Sequence, residues 1–216
     1  MAHNYPELAF GEAAKKLQEQ FGSRSTYARM EKQTIYDGLT DAEEGFIAER
    51  DSFYMASVGE NGFPYVQHRG GPKGFVKIIG PLTLAFADFR GNKQYITMGN
   101  AATNNKVALI FMDYPHRARL KIYAKLQVVG LAEDVALAGL LALQGYTAKE
   151  ERYVKLTVEA FDWNCQQHIT PRYTTADIEA AFAPQRAYME QLKAENQRLR
   201  EALQLNPKGY GPASVV

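Results

Sequence analysis

Cysteine is almost missing from this sequence: Cys165 is the only one in 216 residues, so no internal disulfide can form and a reducing cytoplasm is the expected setting. An excess of either charge is missing too. Lysine and arginine number 25 against 24 acidic residues, and a formal net charge of +1 gives no general attraction to nucleic acid or an anionic membrane. No apolar run approaches the roughly 18 residues of a membrane span; even residues 135–143 are flanked by Glu133, Asp134 and Gln144. The first residues lack the basic and apolar regions of a signal peptide. Fixed-period repeats and low-complexity tracts are absent, which removes solenoids and propellers. Gly-x-Gly-x-x-Gly and Gly-x-x-x-x-Gly-Lys-Ser/Thr loops are absent as well, which removes the most legible nucleotide folds. His3, His68, His116 and His168 stand at no recognised metal spacing, so no metal is expected. Cys165 and His168 form a weak thiolate–imidazole candidate, against the plainer reading of a small packed thiol after Trp163.

What is present is a globular composition, 46% hydrophobic and 23% charged, at a length that suits one large domain with peripheral elements. Residues 11–20 carry helix formers closed by Gly22. Thr40, Asp41, Ala42 and Glu43 fit a capping box ahead of Phe46 and Ile47. From Asp51 the period shortens to two. Residues 53–58 and 63–68 flank Asn61-Gly62, a strong hairpin signal. Further strands are expected at residues 74–79, 82–87, 107–112, 120–129 and 152–160, with Gly80-Pro81 turning between two of them. These are enough strands to close a barrel. Leu120, Ile122, Ala124, Leu126 and Val128 alternate with polar residues, which places them on one buried face. Residues 133–144 read as a helix inserted between the last strands, so the fold class is α+β. After Pro171, Met189, Leu192, Asn196, Leu199 and Leu203 recur at spacings of 3, 4, 3 and 4. An Asn at the first heptad position fixes register in parallel two-stranded coils; the helix either pairs between chains or lies singly on the barrel. A loose tail follows Leu205.

Two basic turns are candidate phosphate sites. Asp88-Phe89-Arg90-Gly91-Asn92-Lys93-Gln94-Tyr95 follows a strand and opens a short helix for which Asn92 is the expected N-cap. Free first-turn amides beside Lys93 and Arg90 suit a phosphate, although a solvated basic turn is the plainer reading. His68-Arg69-Gly70-Gly71-Pro72-Lys73-Gly74 offers glycines for close backbone approach to a ligand, and Arg69, Lys73 and Lys77 offer charge; here the plainer reading is a flexible loop.

The runs at residues 69–75, 84–96, 107–115 and 163–172 together resemble the FMN-binding proteins related to pyridoxamine 5'-phosphate oxidase, over roughly residues 43–173. The resemblance implies a split antiparallel β-barrel that dimerises, with two FMN molecules in clefts between the subunits. It assigns the FMN phosphate to Lys77 with Arg69, then Asn92, Lys93 and Gln94. Ala87 and Asp88 stand where aromatic and hydroxyl residues often line the phosphate and ribityl end. Gln167, His168 and Arg172 would approach the isoalloxazine edge from the partner subunit. Gln94 departs from the second base of the better-known oxidases, which shifts phosphate affinity onto Arg69 and Lys77. Pro171-Arg172-Tyr173-Thr174 departs from the Arg-Leu-His-like block of true oxidases and argues against vitamin B6 oxidation.

The implied organisation is an N-terminal helical prelude packed on the barrel (residues 1–50), the FMN-binding barrel (51–173), and a C-terminal helix with its tail (174–216). The expected protein is a cytoplasmic homodimeric flavoprotein, an oxidoreductase of an unidentified small substrate with no catalytic residue assigned and no nucleic-acid or membrane partner. Two alternatives stay open: a flavin-storage or flavin-sensing protein, and a split barrel that uses the deazaflavin F420 or haem, the latter with His68 or His168 as axial ligand.

Overall fold

Period-two patterning produces seven strands: β1 (Ser52–Val58), β2 (Pro64–Gly70), β3 (Lys77–Gly80), β4 (Thr83–Phe89), β5 (Lys106–Asp113), β6 (Ala118–Val129) and β7 (Glu150–Trp163). The computed structural model describes residues 3–32, 37–163 and 166–205. These fall into two compact units, Met1–Thr170 and Pro171–Val216. Cys165 lies outside the described residues, as does the tail after Leu205.

In the first unit the strands pair antiparallel in the order β2-β1-β5-β6-β7-β4-β3. The architecture is a split barrel. The strands suffice to close it, but among the described residues no backbone ladder joins β2 to β3. Residues 71–76 occupy that connection, and there Phe75 and Val76 turn inward and are buried. Phe75 stacks on Phe53 with ring centroids 5.9 Å apart and meets Phe86 edge-on at 6.2 Å. The inner strand faces add Met55, Leu84, Leu109, Phe111, Leu120, Ile122 and Leu156 to one apolar core. Each such side chain contributes about 2 kcal/mol of burial.

A second, smaller cluster lies on the opposite face of β4, where α6 (Val135–Leu141) packs Leu137 and Leu141 onto Ala85, Ala87, Val129 and Tyr153. The two alanines leave room for the helix. Asp134 caps it by accepting the Leu137 N–H at 2.8 Å and is held by Lys155 at 3.0 Å. Here the simple alternation of β6 ends. A register shift follows Tyr123, and Val129 is buried in this cluster while Val128, expected on the buried face, is exposed.

The helices α1 (Tyr5–Ala9), α2 (Glu12–Gln20), α3 (Arg24–Met30), α4 (Asp41–Ala48) and α5 (Ile96–Thr103) complete this unit. Thr40 and Glu43 form the capping box of α4 as expected. Glu43 also accepts the indole N–H of Trp163, so the cap acid anchors the end of β7. Among the described residues the second unit holds α7 (Thr175–Leu205), which starts from a reciprocal cap between Thr174 and Asp177 and contains Pro184. Among the described residues no helix is long and apolar enough to cross a membrane.

Candidate functional site

Strand alternation places Tyr65, Gln67 and Arg69 in a row along one face of β2, where they line an open cleft. Asp88 enters the same cleft from the end of β4, opposite Arg152 of β7 in the register. The Arg69 guanidinium donates to the Asp88 carboxylate, and Arg152 Nη1 lies 3.7 Å from its other oxygen. Because β2 and β4 are not neighbours in the sheet, this ion pair bridges the opening that no backbone ladder crosses. Burial pushes the Asp88 carboxyl above the usual carboxylate range and outweighs the pull of the two guanidiniums. Arg69 Nε is buried and has no hydrogen-bond partner among the described residues.

The opposite wall is the turn 91–95. Lys93 and Tyr95 both hold left-handed backbone, at φ 61° and 52°. Each costs on the order of 1 kcal/mol for a non-glycine residue and persists only where its surroundings enforce it. They do so here. The Asn92 side chain accepts the Gln94 N–H at 3.3 Å, the Tyr95 hydroxyl donates to Glu151 at 3.4 Å, and the Arg152 guanidinium covers the Tyr95 ring at 5.0 Å. Just inside α5, the buried Thr97 hydroxyl donates to Gln67 at 2.8 Å and ties the turn to β2. The ionic lining is three bases, Arg69, Lys93 and Arg152, against two acids, Asp88 and Glu151, so the cleft favours an anion.

The structure gathers Arg69, Asp88, Asn92, Lys93 and Gln94 in this cleft. One expectation is corrected. Asn92 is not the helix N-cap: its side chain is spent inside the turn, and Tyr95 occupies the N-cap position of α5 three residues later. Ala87 points to the other face of β4, into the cluster beneath α6. Lys77 stands opposite Ala85 and so shares that face rather than the cleft face of Asp88. Lys73 pairs with Glu49 on the surface. Close packing within the protein itself explains the glycines beside it. A Cβ on Gly71 would come within 2.6 Å of the Phe75 ring, and Gly74, at φ +72°, lies against the Ala48 carbonyl. Arg90 pairs with Glu151 at 3.1 Å. Gln167 and His168 are exposed in the turn after β7, with His168 at φ 62° and neither among the cleft residues. Arg172 belongs to the second unit. His68 faces away from the cleft and meets Tyr54 edge-on at 5.5 Å.

Gln67, Thr97 and Arg152 escaped the sequence reading. Gln67 was within reach, because a strand that turns Arg69 into a site turns the residue two before it the same way. Arg152 was not: only the β4–β7 register brings it to Asp88 across 64 positions of sequence.

The profile of the pyridoxamine 5'-phosphate oxidase family matches residues 39–169, which span both walls of this cleft. The chain belongs to that family. No curated protein matches the sequence. Among solved structures, HupZ of Group A Streptococcus is 14% identical, with 62% of this chain and 99% of that chain covered at a TM-score of 0.47. An FMN-binding protein from Syntrophomonas wolfei subsp. wolfei is also 14% identical, with 68% and 97% covered at 0.43. An F420 reductase is 17% identical, with 57% and 98% covered at 0.42. As a pyridoxamine 5'-phosphate oxidase family member, this chain carries α1 to α3 before the matched residues and α7 after them.

Proposed function

We propose that the cleft binds FMN through its phosphate and that the protein is a flavin-dependent oxidoreductase of a small substrate, acting as a cytoplasmic homodimer with FMN between the subunits. The observation that carries this reading is the left-handed turn at Lys93 and Tyr95 facing Arg69, whose buried Nε has no hydrogen-bond partner among the described residues. A phosphate needs fixed donors and an excess of positive charge, and both converge here. Lys93 and Arg69 supply charge, and the turn closed by Asn92 and Gln94 presents Lys93 to the cleft. Asp88 holds Arg69 and Arg152 in place by accepting from one and lying beside the other. Thr97 and Gln67 keep the two walls together. Bound FMN would supply two-electron redox chemistry, and this chain would supply position and electrostatics.

Gln167 and His168 are the residues the family resemblance directs to the flavin ring in the dimer. Support for a second copy comes from the outer sheet face, where Tyr54, Val66 and Ile110 of three successive strands are exposed apolar side chains. The test is the absorption spectrum of the purified protein before and after addition of FMN, then titration of Arg69→Ala and Lys93→Ala. Loss of one charge-assisted contact of about 1.5–3 kcal/mol predicts affinity lower by a factor of about ten or more in each variant. Absence of FMN binding by the wild-type protein, or uptake of F420 or haem instead, overturns the reading. A flavin that binds tightly yet is neither reduced by any donor nor reoxidised by any acceptor assigns the cleft to storage or sensing.

A further inference from the structure

The heptad pattern of α7 extends beyond the five positions that first define it. Ile178, Phe182, Gln185, Met189, Leu192, Asn196, Leu199 and Leu203 follow one another at alternating spacings of 4 and 3, so they form a single stripe along the helix. Among the described residues the second unit contains no other element to cover that stripe, and its six apolar side chains are between 40% and 66% exposed. Phe182, Met189, Asn196 and Leu203 take the first heptad position, a; Ile178, Gln185, Leu192 and Leu199 take the fourth, d.

We propose that this stripe is the seam of a parallel, in-register, two-stranded coiled coil formed with α7 of a second copy of this chain. Asn196 at a is the polar residue that specifies two strands and register, and Leu192 and Leu199 at d are the side chains a parallel dimer prefers. The flanking charges select the orientation. Parallel pairing sets position g of one helix against position e of the next heptad of its partner, which brings Glu195 to Arg200. Antiparallel pairing sets e against e, and Arg186, Lys193 and Arg200 would then confront one another. Pro184 falls at position c, outside the seam, and Arg186 donates to the Glu179 carbonyl at 2.7 Å across the turn that the proline interrupts. Gln197 and Glu201, at positions b and f on the far face, hydrogen-bond to each other at 2.6 Å. This pairing requires neither flavin nor the cleft, so it stands or falls apart from the function proposed above.

The test uses the full chain with Cys165→Ser and a single new cysteine at Met189, Leu203 or Ala194. Positions 189 and 203 lie two heptads apart on the seam, about 21 Å along the axis, so an antiparallel pair can bring at most one of them to its own copy. Ala194 sits at the outward position f. The expected result is that mild oxidation cross-links both Met189→Cys and Leu203→Cys into disulfide dimers several-fold more than Ala194→Cys. Cross-linking at only one seam site, or at neither above the Ala194→Cys level, overturns the proposal; so does uptake of a different protein or of the chain's own barrel on the stripe, which leaves all three at background. A second measurement, light scattering of the full chain with Asn196→Leu, is expected to show assemblies larger than the wild-type protein forms. An unchanged mass counts against Asn196 as the register residue.

Discussion

Asp113 shows how much a single buried carboxylate can organise. It accepts the His116 N–H at 3.1 Å, lies 3.0 Å from the His116 ring nitrogen, and pairs with Arg50 at 3.0 Å, which joins the β5–β6 turn to the end of α4. Burial alone would lift its titration, but the His116 amide and ring together with Arg50 hold it below the usual carboxylate range. A depressed folded value gives stability that is complete above the unfolded value near pH 4 and is lost as pH falls through the folded one. Asp113→Asn is therefore expected to be about 2 kcal/mol less stable at pH 7. Its urea midpoint should fall less than that of the wild type between pH 5 and pH 3. Lys93 makes the opposite case, since its backbone is strained where its side chain is useful. In Lys93→Gly, stability measured by urea denaturation should be unchanged or higher by up to about 1 kcal/mol, while FMN affinity falls. Lower stability with undiminished affinity would contradict both roles. Of this cleft, Arg69, Asp88, Asn92, Lys93 and Gln94 were legible in sequence because they fall in two short basic runs. Arg152 and Thr97 were not, because an isolated arginine on a strand and a threonine in a helix look like many others until the register pairs them.

Elements were legible in proportion to their periodicity. All seven strands announce themselves by alternation or by a bounded apolar run, and the α4 cap by its box of Thr40 and Glu43. The short α1 and α3 carry no such signal. Tyr5 of α1 stacks on Tyr123 at 4.8 Å, and Tyr27 of α3 meets Phe10 at 5.1 Å, so both are stabilised by contacts that their own few residues cannot encode. The start of α5 was misplaced by three residues because a side chain that can cap a helix can equally close a turn. The α6 cluster shows an element whose position depends on small partners. Leu137 is buried in a cluster whose sheet side includes Ala85 and Ala87, side chains too small to fill a vacated space. Leu137→Ala is expected to cost about 3 kcal/mol in thermal or urea denaturation. A loss of less than about 1 kcal/mol would mean that α6 rests on the sheet loosely.

At the scale of the whole molecule, the sheet is one continuous surface whose edge strands among the described residues are β2 and β3, and the candidate cleft lies where the first of them approaches β4. The core alone does not determine where such a sheet stops. Phe75 and Val76 plug the gap with apolar volume, and Arg69 and Asp88 span it with charge. Side chains therefore do at this place what amide ladders do elsewhere in the sheet. An anion that engages Arg69 enters the fastening itself, so ligand occupancy and local opening of the fold share one equilibrium. Amide hydrogen exchange in β2 should slow when the cleft is filled, while exchange in the β6–β7 ladder stays as it was. Equal slowing of both ladders would instead mark the seam as rigid without its ligand.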